Sequence, residues 1–248
     1  MNEVVMQLMK HRSVRAFEQT PVPEEQLREI VAAGQMASTS SNVQAYSVIA
    51  VTDTALKHEL SVLTGRQAYV ESCPVFLVWC ADLNRLAQAA SSHLLDGEQT
   101  YADSAESFVV ATVDAALAAQ NAAIAAESMG YGICYIGGIR NRIGEVTSLL
   151  RIPRLVYPVF GMCIGIPSAS SGQRPRLPVD AVLHRDVYEP GRTFATIGAY
   201  DDTMVRYLRS RTEGRKSTPW SKIMAEWLTR PNRLQLMEFL QGRGLLRR

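Results

Sequence analysis

The sequence predicts a mixed fold in which helices cover a buried sheet, and three observations carry that reading. Strand-like and helix-like segments alternate through the first two thirds of the chain, with no repeat and no obvious linker. Two strand candidates, 74–81 and 157–165, are nearly continuous apolar runs, the pattern of strands covered on both faces. The 248 residues are 47% hydrophobic and 20% charged, which suits one large globular domain or two small ones with a sizeable core.

The elements follow in order. A short helix runs from Val4 to Met9, and Pro23-Glu24-Glu25 opens a second that reaches about Met36, with acidic residues in its first turn. The period then changes to two. Tyr46 to Thr52 is a strand, Ala55 to Leu63 a helix, and Pro74 to Ala81 a strand with proline at its first position. The longest helix spans Tyr101 to Met129, and Gly130 serves as its C-cap. From Phe108 to Ala126 it is apolar on almost every face, so it must be covered on all sides, within its own domain or by a second subunit. That is the first indication of a homodimer. Asp114, Gln120 and Asn121 interrupt the same stretch and its alanines suit close packing, so a buried helix is expected rather than a membrane span.

Ile133 to Ile136 is a short strand, Asn141 to Leu150 a helix and Tyr157 to Gly165 another buried strand. From Pro178 to about Gly198 periodicity fades, and an extended excursion is expected. Helices return at Asp201 to Ser210, Trp220 to Leu228 and Arg233 to Leu240, with a mobile surface loop expected between Arg211 and Pro219.

Charge and composition exclude several classes. Lys and Arg total 26 against 24 Asp and Glu, so there is no general basic excess for nucleic acid; the positive charge is local, at Arg206, Arg209, Arg211, Arg215 and Lys216. Cys73, Cys80, Cys134 and Cys163 lie in apolar runs without a CxxC pair or a histidine at ligand spacing, as structural thiols of a reducing compartment do. The amino-terminal segment lacks the apolar run and cleavage site of a secretory signal, and a cytoplasmic location is expected. The four histidines form no metal-spaced pair, and neither a GxSxG elbow, an HExxH helix, a GxGxxG turn nor a P-loop is present. No metal site and no catalytic acid or base is predicted.

Two basic clusters, His11-Arg12-Ser13-Val14-Arg15 and Arg174-Pro175-Arg176, are suited to a phosphate. On a loop leaving a helix, Arg12 and Arg15 are spaced to converge on one anion while Ser13 adds a hydroxyl donor. A basic helix end answering the helix dipole is the competing explanation. Ser38-Thr39-Ser40-Ser41 and Gln44 place hydroxyls and amides after a helix, for ribityl and pyrimidine hydrogen bonds or as an ordinary loop. Gln67 offers an amide to a ring carbonyl, or to solvent. In Tyr135-Ile136-Gly137-Gly138, glycines directly after a strand let backbone N–H approach a planar ring, or form a tight turn.

The ordered set HRSVR, STSSNVQ, GRQ, AAESMGYGICYIGGIRN, YPVFGMCIGIP and RPRLP resembles the nitroreductase superfamily, in its NADPH-preferring branch. The match runs over essentially the whole chain and includes Tyr207, Arg211, Trp220 and Ser221 of the carboxyl-terminal tail. The resemblance implies an α+β fold, a central mostly antiparallel sheet flanked by helices, in an intertwined homodimer. It implies a single domain over 1–248 whose segment 185–248 embraces the partner. It further implies FMN, with His11, Arg12, Ser13 and Arg15 at the ribityl phosphate end, joined by Arg174 and Arg176. Thr39, Ser40, Ser41 and Gln67 would hold the ribityl chain and ring edge, and Tyr135, Ile136, Gly137 and Gly138 would lie against the ring. Arg211, with Lys216 or Arg215, would meet the 2′-phosphate of NADPH. The implied activity is hydride transfer from NADPH through FMN to nitroaromatics, quinones or similar small acceptors by a ping-pong mechanism. The alternatives are a flavin reductase supplying reduced flavin and a flavin-binding protein with little turnover.

Overall fold

The computed structural model describes residues 1–248. Four strands, β1 (Tyr46–Val51), β2 (Val75–Asp82), β3 (Gly132–Ile136) and β4 (Val156–Gly165), form one sheet in the order β1-β2-β4-β3. Every neighbouring pair is antiparallel, as the α+β expectation requires. Ile49, Val78, Gly161 and Ile136 form one row across it. All eight residues of β2 are buried, which explains why this strand is a continuous apolar run rather than an alternating one.

The two faces of the sheet build separate cores. Leu77, Trp79, Ala81, Met162 and Ile164 face α2 (Glu24–Gln35) and α6 (Ala105–Ser128). Phe76, Val78, Cys80, Cys134, Ile136 and Cys163 face the other layer, where Leu60 and Leu63 of α3 (Thr54–Leu63), Val70 of α4 (Ala68–Ser72) and Val146 of α7 (Ile143–Leu149) complete the packing. At Gly161 a side chain would overlap the Phe76 ring, so this position in the row tolerates only glycine. All four cysteines are free and buried; burial pushes the Cys80 thiol up to about 12, and raises Cys134 and Cys163 as well.

The long helix departs from its expected symmetry. It starts at Ala105, behind a Ser104 N-cap, and buries Ala111, Ala115, Ala118, Ala119, Ala122, Ala123 and Ala126 on one side. The fit to α2 is close, since a Cβ at Gly34 would lie 2.9 Å from the Ala118 carbonyl oxygen. The other side carries Val109, Val113 and Leu117, which are 51%, 47% and 44% exposed at helical spacing. Thus the helix is not apolar in every direction toward solvent; it has a covered alanine face and one uncovered stripe. Its length and composition would allow a membrane span, but the alanine face makes it a core helix.

Short helices absent from the sequence reading are α1's later neighbours α4 and α5 (Asn84–Ala90), while α1 (Glu3–Met9) agrees with expectation. Contacts divide the chain into two compact units, 1–171 with 233–248, and 172–232. In the second, α8 runs from Pro190 to Arg211, so the expected extended excursion over 178–198 ends eight residues early. Gly191, Gly198 and two threonines weaken helix propensity there, and Pro190 supplies the start. Residues 233–248, with α10 (Leu236–Gly242), return to the first unit, where Leu240 and Leu245 are buried and Arg248 pairs with Asp103 at 2.8 Å. The remaining helix, α9 (Trp220–Thr229), is joined to α8 when Ser221 donates its N–H to Asp201 at 2.8 Å.

Candidate active site

The segment from His11 to Arg15 leaves the end of α1, and from Ser13 onward it runs extended beside β3. Ser13 bridges Ile133 in parallel, and Val14 donates its N–H to the Ile133 carbonyl at 2.9 Å. In extended chain, residues three apart point to opposite sides. The expectation that Arg12 and Arg15 converge on one anion therefore fails. Arg12 lines a concavity of about 220 Å³ with Lys10, Gln7 and Glu127. Arg15 lies with Ser13 beside the Cys134 thiol, its guanidinium 5.9 Å from the centre of the Tyr69 ring. His11 is held by Glu127, Nδ1 to Oε1 at 2.7 Å.

Around Arg15 the structure assembles a tight group on the β3 edge. Gln67 donates from Nε2 to the Thr64 carbonyl at 2.6 Å, and its Oε1 accepts from the Tyr69 hydroxyl. Asn141 also donates to the Thr64 carbonyl, at 3.2 Å. Gly138 sits directly below: a Cβ there would lie 2.5 Å from Gln67 Nε2 and would overlap the Thr64 carbonyl. Glycine is thus needed at 138 to let the 64–67 turn close on the strand end, a different reason from the backbone access inferred from sequence. Tyr135 makes an edge-to-face contact with Phe160, 5.2 Å between centroids, and burial together with Glu127 raises its hydroxyl. Arg15, Ser13, Gln67, Ile136, Gly137 and Gly138 are therefore gathered at one place.

The serine turn is not among them. Thr39, Ser40 and Ser41 precede β1, at the opposite edge of the sheet from β3, roughly 14 Å away at the usual strand spacing. Ser41, Asn42 and Gln44 adopt φ of 46°, 58° and 51°, a left-handed run that costs energy for each residue. The buried carboxylate of Asp114 holds it, accepting from the N–H of Ser40 at 3.2 Å and of Ala45 at 3.1 Å. The hydroxyls of Ser40 and Ser41 stay exposed.

Within the second unit, Arg176 donates to the Arg174 carbonyl at 2.9 Å, and Tyr200 anchors this segment through the Pro175 carbonyl at 3.0 Å. Arg211 donates to the Tyr207 hydroxyl at 3.1 Å and has no carboxylate partner. Arg215 and Lys216 follow on the exposed loop, which Thr212 braces by accepting from the Lys216 N–H at 2.9 Å.

Residues 8–166 match the Nitroreductase family, and residues 174–248 match the Nitroreductase family, C-terminal domain. The chain belongs to the nitroreductase family. It is 43% identical over 237 residues to the "CR(VI) reductase" of Pseudomonas sp. (strain G-1), covering 96% of each chain. It is 43% identical over 249 residues to the "FMN reductase (NADPH)" of Bacillus subtilis (strain 168), covering 98% of each. Among solved structures, B. megaterium NfrA1 superposes with a TM-score of 0.95 at 42% identity, over 99% of this chain and 100% of that one.

Tyr69, Glu127 and Asn141, which organise the candidate site, are not singled out from the sequence, and Asp114 is read there only as a break in the apolar helix. For Asp114 a signal existed. A lone carboxylate inside an alanine helix has to be buried against donors, and here those donors belong to the serine turn. Tyr69 and Asn141 carry no such signal, because their partners are set by the fold.

Proposed function

We propose that the chain is an FMN-dependent NADPH oxidoreductase acting on small electron acceptors such as nitroaromatics and quinones. The observation that carries this reading is the convergence of Arg15, Ser13 and Gln67 with the open backbone of Gly137 at the end of β3. That donor set fits a flavin. A guanidinium, a hydroxyl, an oriented amide and side-chain-free backbone match the carbonyl and nitrogen acceptors of a planar ring with a polar chain. When bound, FMN supplies the redox chemistry, accepting hydride from NADPH and returning electrons to the acceptor. The protein's residues bind and orient: Arg15 and Gln67 at the ring edge, Ser13 and Glu127-held His11 nearby, and Arg12, Arg174 and Arg176 as phosphate cations. Arg211, with Lys216 or Arg215, reads the dinucleotide's 2′-phosphate. The names of the B. subtilis and Pseudomonas relatives support the same reading.

Anaerobic mixing of the yellow protein with NADPH tests it, the expected result being rapid bleaching of the flavin absorbance. Turnover should give parallel double-reciprocal lines, since one pocket serves donor and acceptor in turn. Intersecting lines would require separate sites. A second reading, reduction of free flavin, is favoured by the B. subtilis relative's name, and comparing FMN with nitrofurazone and a quinone as acceptors separates the two.

The functional unit in this reading is a cytoplasmic homodimer. Two features support a second copy: the uncovered Val109, Val113 and Leu117 stripe, and the serine turn, which Asp114 fixes on that same helix and far from its own Gly138. A symmetric partner would bring Thr39, Ser40 and Ser41 to the other protomer's flavin. Light scattering at low micromolar concentration should give twice the 27.4 kDa chain mass. A 27.4 kDa monomer that retains FMN would overturn the dimer.

A further inference from the structure

The side chain between the guanidinium of Arg15 and the amide of Gln67 is Tyr69, on α4. The final torsion of a glutamine is soft and nearly two-fold, so an isolated amide presents oxygen or nitrogen with little preference. Here both ends are taken. The Thr64 carbonyl only accepts, so the atom 2.6 Å from it must be Nε2, and the Tyr69 hydroxyl must donate to Oε1 at the other end. One amide N–H and one lone pair remain, in a fixed orientation. The Arg15 guanidinium rests over the same phenol ring, 5.9 Å from its centre, and also donates to its hydroxyl. Gly138 closes the arrangement from below, where any side chain would push Gln67 aside.

We infer that Tyr69 is a positioning residue of the flavin site, its hydroxyl setting which edge of the Gln67 amide faces the ring and its ring steadying Arg15. The inference rests on the flavin reading above and adds a residue that acts through others rather than by touching the reacting atoms.

The test is a double-mutant cycle of Tyr69→Phe and Gln67→Leu in the purified holoprotein. FMN affinity, flavin absorption spectrum and flavin midpoint potential are the readouts. Removing one hydroxyl that orients an amide should weaken FMN roughly three- to tenfold. It should also shift the absorption bands and the potential, which a loss of packing alone would leave in place. In the Gln67→Leu background, Tyr69→Phe should have a clearly smaller effect on the spectrum and potential, because the amide it orients is gone and only its contact with Arg15 remains. Equal effects in both backgrounds, or a Tyr69→Phe protein with unchanged affinity and spectrum, would overturn the inference. Failure of the wild-type protein to take up FMN would instead overturn the flavin reading, so the two failures are distinguishable.

Discussion

Protein carrying both Arg15→Ala and Arg176→Ala should leave purification colourless, whereas the unaltered chain should retain one FMN per subunit. A hydrogen bond to a charged group contributes about 1.5–3 kcal/mol. The two arginines sit on different segments of the chain and share no partner, so their losses should add, to roughly 3–6 kcal/mol. That corresponds to a loss of about two to four orders of magnitude in affinity, enough to release a cofactor during gel filtration. The flavin-to-protein absorbance ratio measures it. The single variants carry separate information. Arg15 shares its surroundings with Gln67 and Tyr69, so Arg15→Ala should alter the spectrum of whatever flavin remains. Arg176→Ala should weaken binding without changing the spectrum, as expected for a cation acting on the phosphate. Full occupancy in the double variant would remove both arginines from the cofactor site.

What the sequence made legible divides along physical lines. Buried strands announced themselves because a strand covered on both faces has no polar positions, and all eight residues of β2 are indeed buried. The glycine pair after β3 and the four hydroxyls and one amide before β1 were visible as chemistry. Their relative placement was not, because it depends on strand order, and β1 and β3 stand at opposite edges of the sheet. The convergence of Arg12 and Arg15 failed for a local reason. Whether residues three apart share a side depends on the backbone being helical or extended, and the bridge between Ser13 and Ile133 makes it extended. Hydrophobic content identified α6 as a helix needing cover, but not which face was already covered; the alanine positions that pack on α2 are distinguished from the Val109–Leu117 stripe only once the sheet is in place. At Pro190 to Gly198, two glycines and two threonines hid the first turns of a helix that tertiary packing at Tyr200 and Met204 stabilises.

Arg211→Ala should raise the KM for NADPH by about ten- to a hundredfold and leave that for NADH nearly unchanged. The guanidinium ends α8, where it is exposed, donates to the Tyr207 hydroxyl at 3.1 Å and is paired with no carboxylate. Arg209, Arg215 and Lys216 lie within five residues of it in the chain against the single acidic Glu213, a net positive stretch that favours a dianion and gains nothing from a ribose hydroxyl. One charge-assisted contact to a phosphate contributes roughly 1.5–3 kcal/mol, and less where salt screens it, which sets the expected range. Both nicotinamide donors share every other contact, so the effect should fall on KM for the phosphorylated one alone. The effect should shrink as ionic strength rises, and inorganic phosphate should compete with NADPH in the unaltered chain but hardly in the variant. An arginine in the last turn of a helix also interacts with the helix dipole, and losing that contribution would lower stability by a few tenths of a kcal/mol to about 1 kcal/mol while treating both donors alike. The ratio of the two KM values is therefore the deciding measurement, with thermal unfolding as its control. Lys216→Ala should change the ratio in the same direction by a smaller factor, because Arg215 stands beside it on the loop. If Arg211→Ala weakens NADH and NADPH equally, Arg211 serves the helix end and the 2′-phosphate is read elsewhere.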